Sequence, residues 1–83
     1  MFVVIYMNVL DDVTVYGKFA SIKKANDFML DEYNKKCDNY LKNDYKIGGV
    51  VTDDDRIILK SVIPGTNEDR IEKWYVCEIE KPE

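Results

Sequence analysis

The chain has 83 residues, 46% of them hydrophobic and 34% charged, with twelve basic and sixteen acidic side chains and a net charge of -4. That size supports one domain with a modest buried fraction, the balance suits a folded chain, and net negative charge opposes long-range attraction to nucleic-acid backbone. Histidine is absent and cysteine occurs only as Cys37 and Cys77, which excludes Ser-His-Asp and Cys-His catalysis, histidine metal sites and a four-thiolate zinc site.

Residues 2–10 are rich in Val, Ile, Tyr and Phe, which is strand chemistry. The run MFVVIYMNVL is about half a membrane span long and has no basic leader, so it reads as a strand rather than a signal or an anchor. With no leader and few cysteines, the chain is expected in a reducing cytoplasm. Leu10, Asp11 and Asp12 make a tight turn, and the alternating run VTVYGKF at 13–19 is a second strand closing an N-terminal hairpin.

Ser21 is an N-cap, its hydroxyl placed to accept an orphan amide. Ile22, Ala25, Met29, Tyr33, Cys37 and Tyr40 then recur at spacings of three and four, with Phe28 and Leu41 widening the stripe. This pattern is one amphipathic helix over 21–42, ended by Asn43 and Asp44. YKIGGVVT is a third strand, in which Gly48-Gly49 marks a bulge or a close backbone approach. RIILKSVI is a fourth, Pro64-Gly65 suits a type II turn, and RIEKWYVCEIE at 70–80 is a fifth. The expected fold class is α+β: a single domain over 1–83, ββαβββ, with a mainly antiparallel sheet and one helix on one face.

Asp53, Asp54 and Asp55 fall where a hairpin loop belongs. Adjacent side chains diverge there, and the alternate spacing, glycine and distal glutamate of a calcium loop are missing. The run reads as a solvated tip, with no metal. The chain also lacks a nucleophile motif, a phosphate loop and a spaced carboxylate set, so no catalytic residues and no cofactor are expected, and the chain is not expected to be an enzyme.

With one helix on one sheet face, the other face decides the function. Alternation assigns Val3, Ile5, Met7 and Val9, then Val13, Val15 and Phe19, and Ile71, Tyr75, Cys77 and Ile79 to the inside. It leaves Phe2, Val4, Tyr6 and Asn8, then Thr14, Tyr16 and Lys18, and Arg70, Glu72, Trp74, Val76 and Glu78 outside. Trp74, Tyr16, Tyr6, Val76 and Glu72 then form a partner-binding patch, because Trp, Tyr and Arg most often anchor interfaces. Burial against a protein target would make Trp74→Ala weaken binding while sparing the fold. The same aromatics can stack RNA bases, with Lys18, Arg56, Lys60 and Arg70 nearby as anion or RNA contacts, and Lys18, Lys23 and Lys24 bracket the helix start, an anion-site candidate. Scattered surface apolars, and a second copy of this chain forming a homodimer, are the other readings of that face.

Residues 1–46 are charge-balanced, whereas 47–83 hold nine acidic and five basic side chains. The acidic half, which includes Asp53–Asp55, Glu68, Asp69, Glu72, Glu78, Glu80 and Glu83, can steer a basic partner. Cys37 and Cys77 both fall on the inside, as small buried hydrophobes. They could pair only if the helix and last strand bring them into disulfide geometry.

Within residues 13–29, Gly17-Lys18-Phe19 followed by Ser21, Ala25 and Phe28 resembles small α+β proteins of bacteria and phages. The Asn-, Lys-, Asp-, Tyr- and Ile-rich composition is similar to that of accessory proteins of T-even-type phages. The resemblance implies a viral, host-cytoplasmic interaction protein that inhibits a bacterial defence or toxin protein by direct binding. It brings no catalytic residues and no membrane association.

Overall fold

A computed structural model of the chain describes residues 1–53 and 55–79. It consists of β1 (Phe2–Met7), β2 (Val13–Phe19), α1 (Ile22–Lys42), β3 (Lys46–Asp53), β4 (Arg56–Val62) and β5 (Asp69–Glu78), the expected ββαβββ order. All pairings are antiparallel, and the sheet order is β2-β1-β5-β4-β3. The fold is α+β, with one helix on one side of a five-stranded sheet. Among the described residues, no helix is long and apolar enough to cross a membrane.

Local chemistry sets the element boundaries. The Lys24 amide donates to Ser21 Oγ at 3.2 Å, satisfying one of the orphan donors of the first turn. At the other end the Asn43 amide donates to Tyr40 O, and Asp44 takes a positive φ that stops the helix. β1 ends earlier than the apolar run suggests, because Asn8 Oδ1 accepts from the amides of both Leu10 and Asp12 at 2.9 Å. This side-chain turn pulls Asn8 and Val9 out of the strand. Gly65 has φ +76 and the Thr66 amide donates to Ile63 O, which closes the Pro-Gly turn between β4 and β5.

Both glycine irregularities shift the register. The Gly48-Gly49 bulge falls between Ile47 and Gly49, as expected. A second shift, between Phe2 and Val3, lies opposite Gly17. Gly17 has φ +148, and a Cβ there would meet Val3 Cγ1 at 3.1 Å and Phe2 O at 3.2 Å. Glycine alone combines that backbone with that approach.

The core is Val4, Ala25, Met29, Ile57, Leu59 and Trp74, all essentially inaccessible. Phe2, Tyr6, Tyr16, Phe28, Tyr33, Tyr40 and Val76 pack around it. This overturns the assignment of the sheet faces. The alternation is correct, but the set with Val4, Tyr6, Tyr16, Trp74 and Val76 lies under the helix, and Val3, Ile5, Val13, Val15, Ile71 and Tyr75 lie on the far side. The physical reason is volume. The helix presents Phe28, Tyr33 and Tyr40, and the strand aromatics Tyr6, Tyr16 and Trp74 fill the space beneath them. Phe19 is the exception, because the irregularity at Gly17 returns it to the helix side, where its ring centroid lies 5.2 Å from Phe28. On the helix, Ile22 and Leu41 sit at the margin of the stripe and remain 46% and 60% exposed.

Candidate functional site

Trp74 and Glu72 are each 1% exposed, so the expected partner-binding patch of Trp74, Tyr16, Tyr6, Val76 and Glu72 is the inner face of the sheet. Trp74 lies 5.0 Å from Tyr6, its ring tilted 35° to it, and meets Tyr33 edge-on at 6.4 Å. Tyr16 lies 5.0 Å from Phe28. These rings cannot bury against a target or stack a base without removal of the helix, which takes the platform from the RNA reading too.

Among the described residues, Glu72 is the one fully buried acidic side chain. A lone carboxylate there would be very costly, and three groups compensate it. The hydroxyls of Tyr6 and Tyr40 donate to its two oxygens, and Lys36 Nζ lies 3.9 Å from Oε2 and 5.6 Å above the Tyr6 ring. Burial foremost, and next the bond to Glu72, push both tyrosine hydroxyls well above their ordinary pKa. The carboxylate thus ties β5 to β1 and to the helix, and its burial denies a solute direct access. Sequence reasoning missed this because a glutamate beside a tryptophan resembles a solvent-facing position. The signal was the set of tyrosines at matching depth on β1 and α1.

The expected anion contacts do not converge. Lys18, Lys23 and Lys24 are exposed around the helix start, and Lys23 pairs with Asp27 at 3.1 Å. Tyr33 meets Trp74 and Tyr40 meets Glu72, so α1 runs antiparallel to β5. Arg70, two residues before Glu72, therefore stands at the opposite end of the helix. At the hairpin tip, Asp53 and Arg56 pair at 3.0 Å and Asp55 is exposed. Asp54, Glu80 and Glu83 lie outside the described residues. Cys37 and Cys77 are free thiols. Cys37 packs against the core under the helix, whereas Cys77, opposite Val3 in register, projects from the other face. The sheet separates them, which corrects their placement on one side.

The helix-free face is the surface that remains. The cross-sheet rows are Gly17–Val3–Cys77, Val15–Ile5–Tyr75–Arg56–Asp53, then Met7 with Val13, Lys73 and Ile58, then Ile71–Lys60–Gly49. Val13, Val15 and Ile71 are 55%, 60% and 45% exposed. Among the described residues no secondary-structure element lies over this face. Its charges are partly neutralised in place, since Lys60 reaches Asp69 at 3.3 Å and Arg56 reaches Asp53. A shallow hollow of ≈ 290 Å³ opens in it, lined by Gly48, Gly49, Val50, Ile58, Lys60 and Ile71. A wider cleft of ≈ 700 Å³ lies at the end of β4, between Asp44, Lys46 and the 62–69 turn. In that cleft Thr66 Oγ1 donates to Ile63 O and accepts from the Glu68 amide, so the hydroxyl serves the turn.

Comparison with protein families, characterised proteins and solved structures gives no match to this chain.

Proposed function

We propose that this chain is a non-enzymatic protein-binding module that works through the helix-free face of its sheet. One observation carries the reading: Val13, Val15 and Ile71 each stand about half exposed on this face, and no secondary-structure element among the described residues covers it. Apolar surface left open on a sheet face marks an interaction site, and here it is interspersed with the charges of Arg56, Lys60 and Lys73. The finer form, inhibition of a host defence or toxin protein by direct binding, takes its support from the likeness of residues 13–29 to small phage accessory proteins.

The test is affinity capture with the wild-type chain, Val15→Lys and Ile71→Lys, each with and without RNase. The reading expects a protein captured by wild type in both conditions and lost with either lysine variant. A partner retained by both variants would move the interaction off this face. Capture that disappears with RNase would make it RNA-dependent.

A further inference from the structure

Three cations stand on the inner strands of the helix-free face, Arg56 and Lys60 on β4 and Lys73 on β5. Two are matched from within the chain, Arg56 by Asp53 at 3.0 Å and Lys60 by Asp69 at 3.3 Å. Among the described residues no carboxylate lies within ion-pair distance of Lys73. We infer that the partner of this face is a protein segment that sets a carboxylate against Lys73 and surrounds it with apolar side chains, which rests on the protein-binding reading above and adds the partner's chemistry to it.

Lys73 leaves the sheet on the helix-free side, because it alternates with Glu72 and Trp74, which are buried beneath the helix. It stands on the central strand of the order β2-β1-β5-β4-β3. Across the sheet its neighbours are Met7 on β1 and Ile58 on β4. Along β5 they are Ile71 and Tyr75, two residues away on the same face. The residue is partly buried among them, and on an open face its ammonium keeps its water. A partner seated on Ile58, Ile71 and Tyr75 takes that water away. The outer edges of the sheet lie two strand spacings, about 10 Å, from β5, farther than a lysine stem carries its charge. The covered ammonium therefore needs an acceptor from the partner, since burial of an unpaired charge is strongly unfavourable.

Two other occupants match this pattern less well. A second copy turned about an axis along β5 would set Lys73 against Lys73, and the acids of this face, Asp53 and Asp69, are already engaged. A nucleic-acid strand brings a charge at every phosphate. The inner strands offer it one cation without a carboxylate, among apolar side chains, on a chain of net charge -4. One acid set among apolar residues is the complement of one cation set among apolar residues, and it also rejects partners that bring a second cation.

Selection of short random phage-displayed peptides on the full chain tests the match. The expected yield is Asp or Glu flanked by Val, Ile, Leu or Phe, with binding lost on Val15→Lys and Ile71→Lys. For a selected peptide made synthetically, exchange of its acid for the matching amide should weaken binding to the wild type about tenfold or more, as loss of one member of a covered charge pair does. The same exchange should change binding to Lys73→Met by less than about twofold, and Lys73→Arg should restore the preference. Lys73→Met keeps an apolar stem, and urea midpoints confirm that each variant is folded. Selected peptides that lack an acid overturn the inference, as does an acid-to-amide loss undiminished in Lys73→Met, or a selection that enriches nothing. If acid-free peptides bind and are lost on Val15→Lys and Ile71→Lys, the binding face stands and only its chemistry fails. If the peptides ignore both of those variants, the face itself fails. Oligothymidylate that displaces the peptides, with an affinity falling steeply with salt, would assign the face to nucleic acid instead.

Discussion

Replacing Trp74 by alanine separates the two assignments of the sheet faces. If Trp74 were an exposed anchor, the variant would fold normally and lose a partner. In the structure it is 1% exposed and wedged between Tyr6 and Tyr33, so the change empties the middle of the core. Truncation of a buried tryptophan costs about 3–5 kcal/mol, cavity included. A chain of this length has a total stability of roughly 4–12 kcal/mol, so the loss is about a quarter of the total or more. With a urea dependence of about 1–3 kcal/mol per molar, the midpoint should fall by at least about 1 M. Val15→Ala, on the open face at 60% exposure, should change stability by no more than about 0.5 kcal/mol. Far-UV circular dichroism suits the assay, since the variant lacks the only tryptophan. An unchanged midpoint for Trp74→Ala, or a larger loss for Val15→Ala, would refute the burial argument.

Two further outcomes are expected. Tyr6 and Tyr40 ionise at higher pH in the folded chain than their ordinary value of about 10, so the stability they confer is complete below pH 10 and declines as pH rises beyond it. Urea titrations between about pH 8 and 11.5 should show a steeper fall for the wild type than for Tyr6→Phe with Tyr40→Phe, the slopes rather than the absolute stabilities being compared. Ser21→Ala removes the acceptor of the Lys24 amide and should cost about 1 kcal/mol, read by thermal or urea unfolding. Equal stability would show that the cap is replaced by solvent.

The elements were legible because their signals are local. The helix combined a three-and-four stripe with a serine cap, β2 and β5 alternated between turn residues, β3 and β4 were apolar runs bounded by turn residues, and Gly48-Gly49 announced its bulge. The faces were not legible for a physical reason. Alternation divides a strand into two sets without saying which is inside, and on β1 both Val3, Ile5, Met7 and Phe2, Val4, Tyr6 are apolar. What decides is the volume that the helix must bury, a property of residues distant in the chain from the strand being read. Glu72 deepened the ambiguity, since its charge pointed outward until Tyr6 and Tyr40 were seen to hold it. The consequence for function was direct, because the aromatics proposed for a partner were already engaged with one another. The hollow at Gly49 was foreshadowed only as a bulge, since a concavity depends on the neighbours across the sheet.

The position of β5 bears on how the chain reaches this state. It pairs with β1 on one side and β4 on the other, yet it is synthesised after all the other strands. Until it emerges from the ribosome, the β1–β2 and β3–β4 hairpins have no strand to join them and the helix has no tryptophan to cover. The last insertion must close contacts that span nearly the whole sequence, which makes folding slow relative to a helical domain of equal size. Two half-sheets with open edges wait for it meanwhile, each able to pair with a neighbouring nascent chain. A strand supplied late and in the centre therefore makes assembly nearly all-or-none, and makes the interval before its arrival the period of greatest exposure to misassembly.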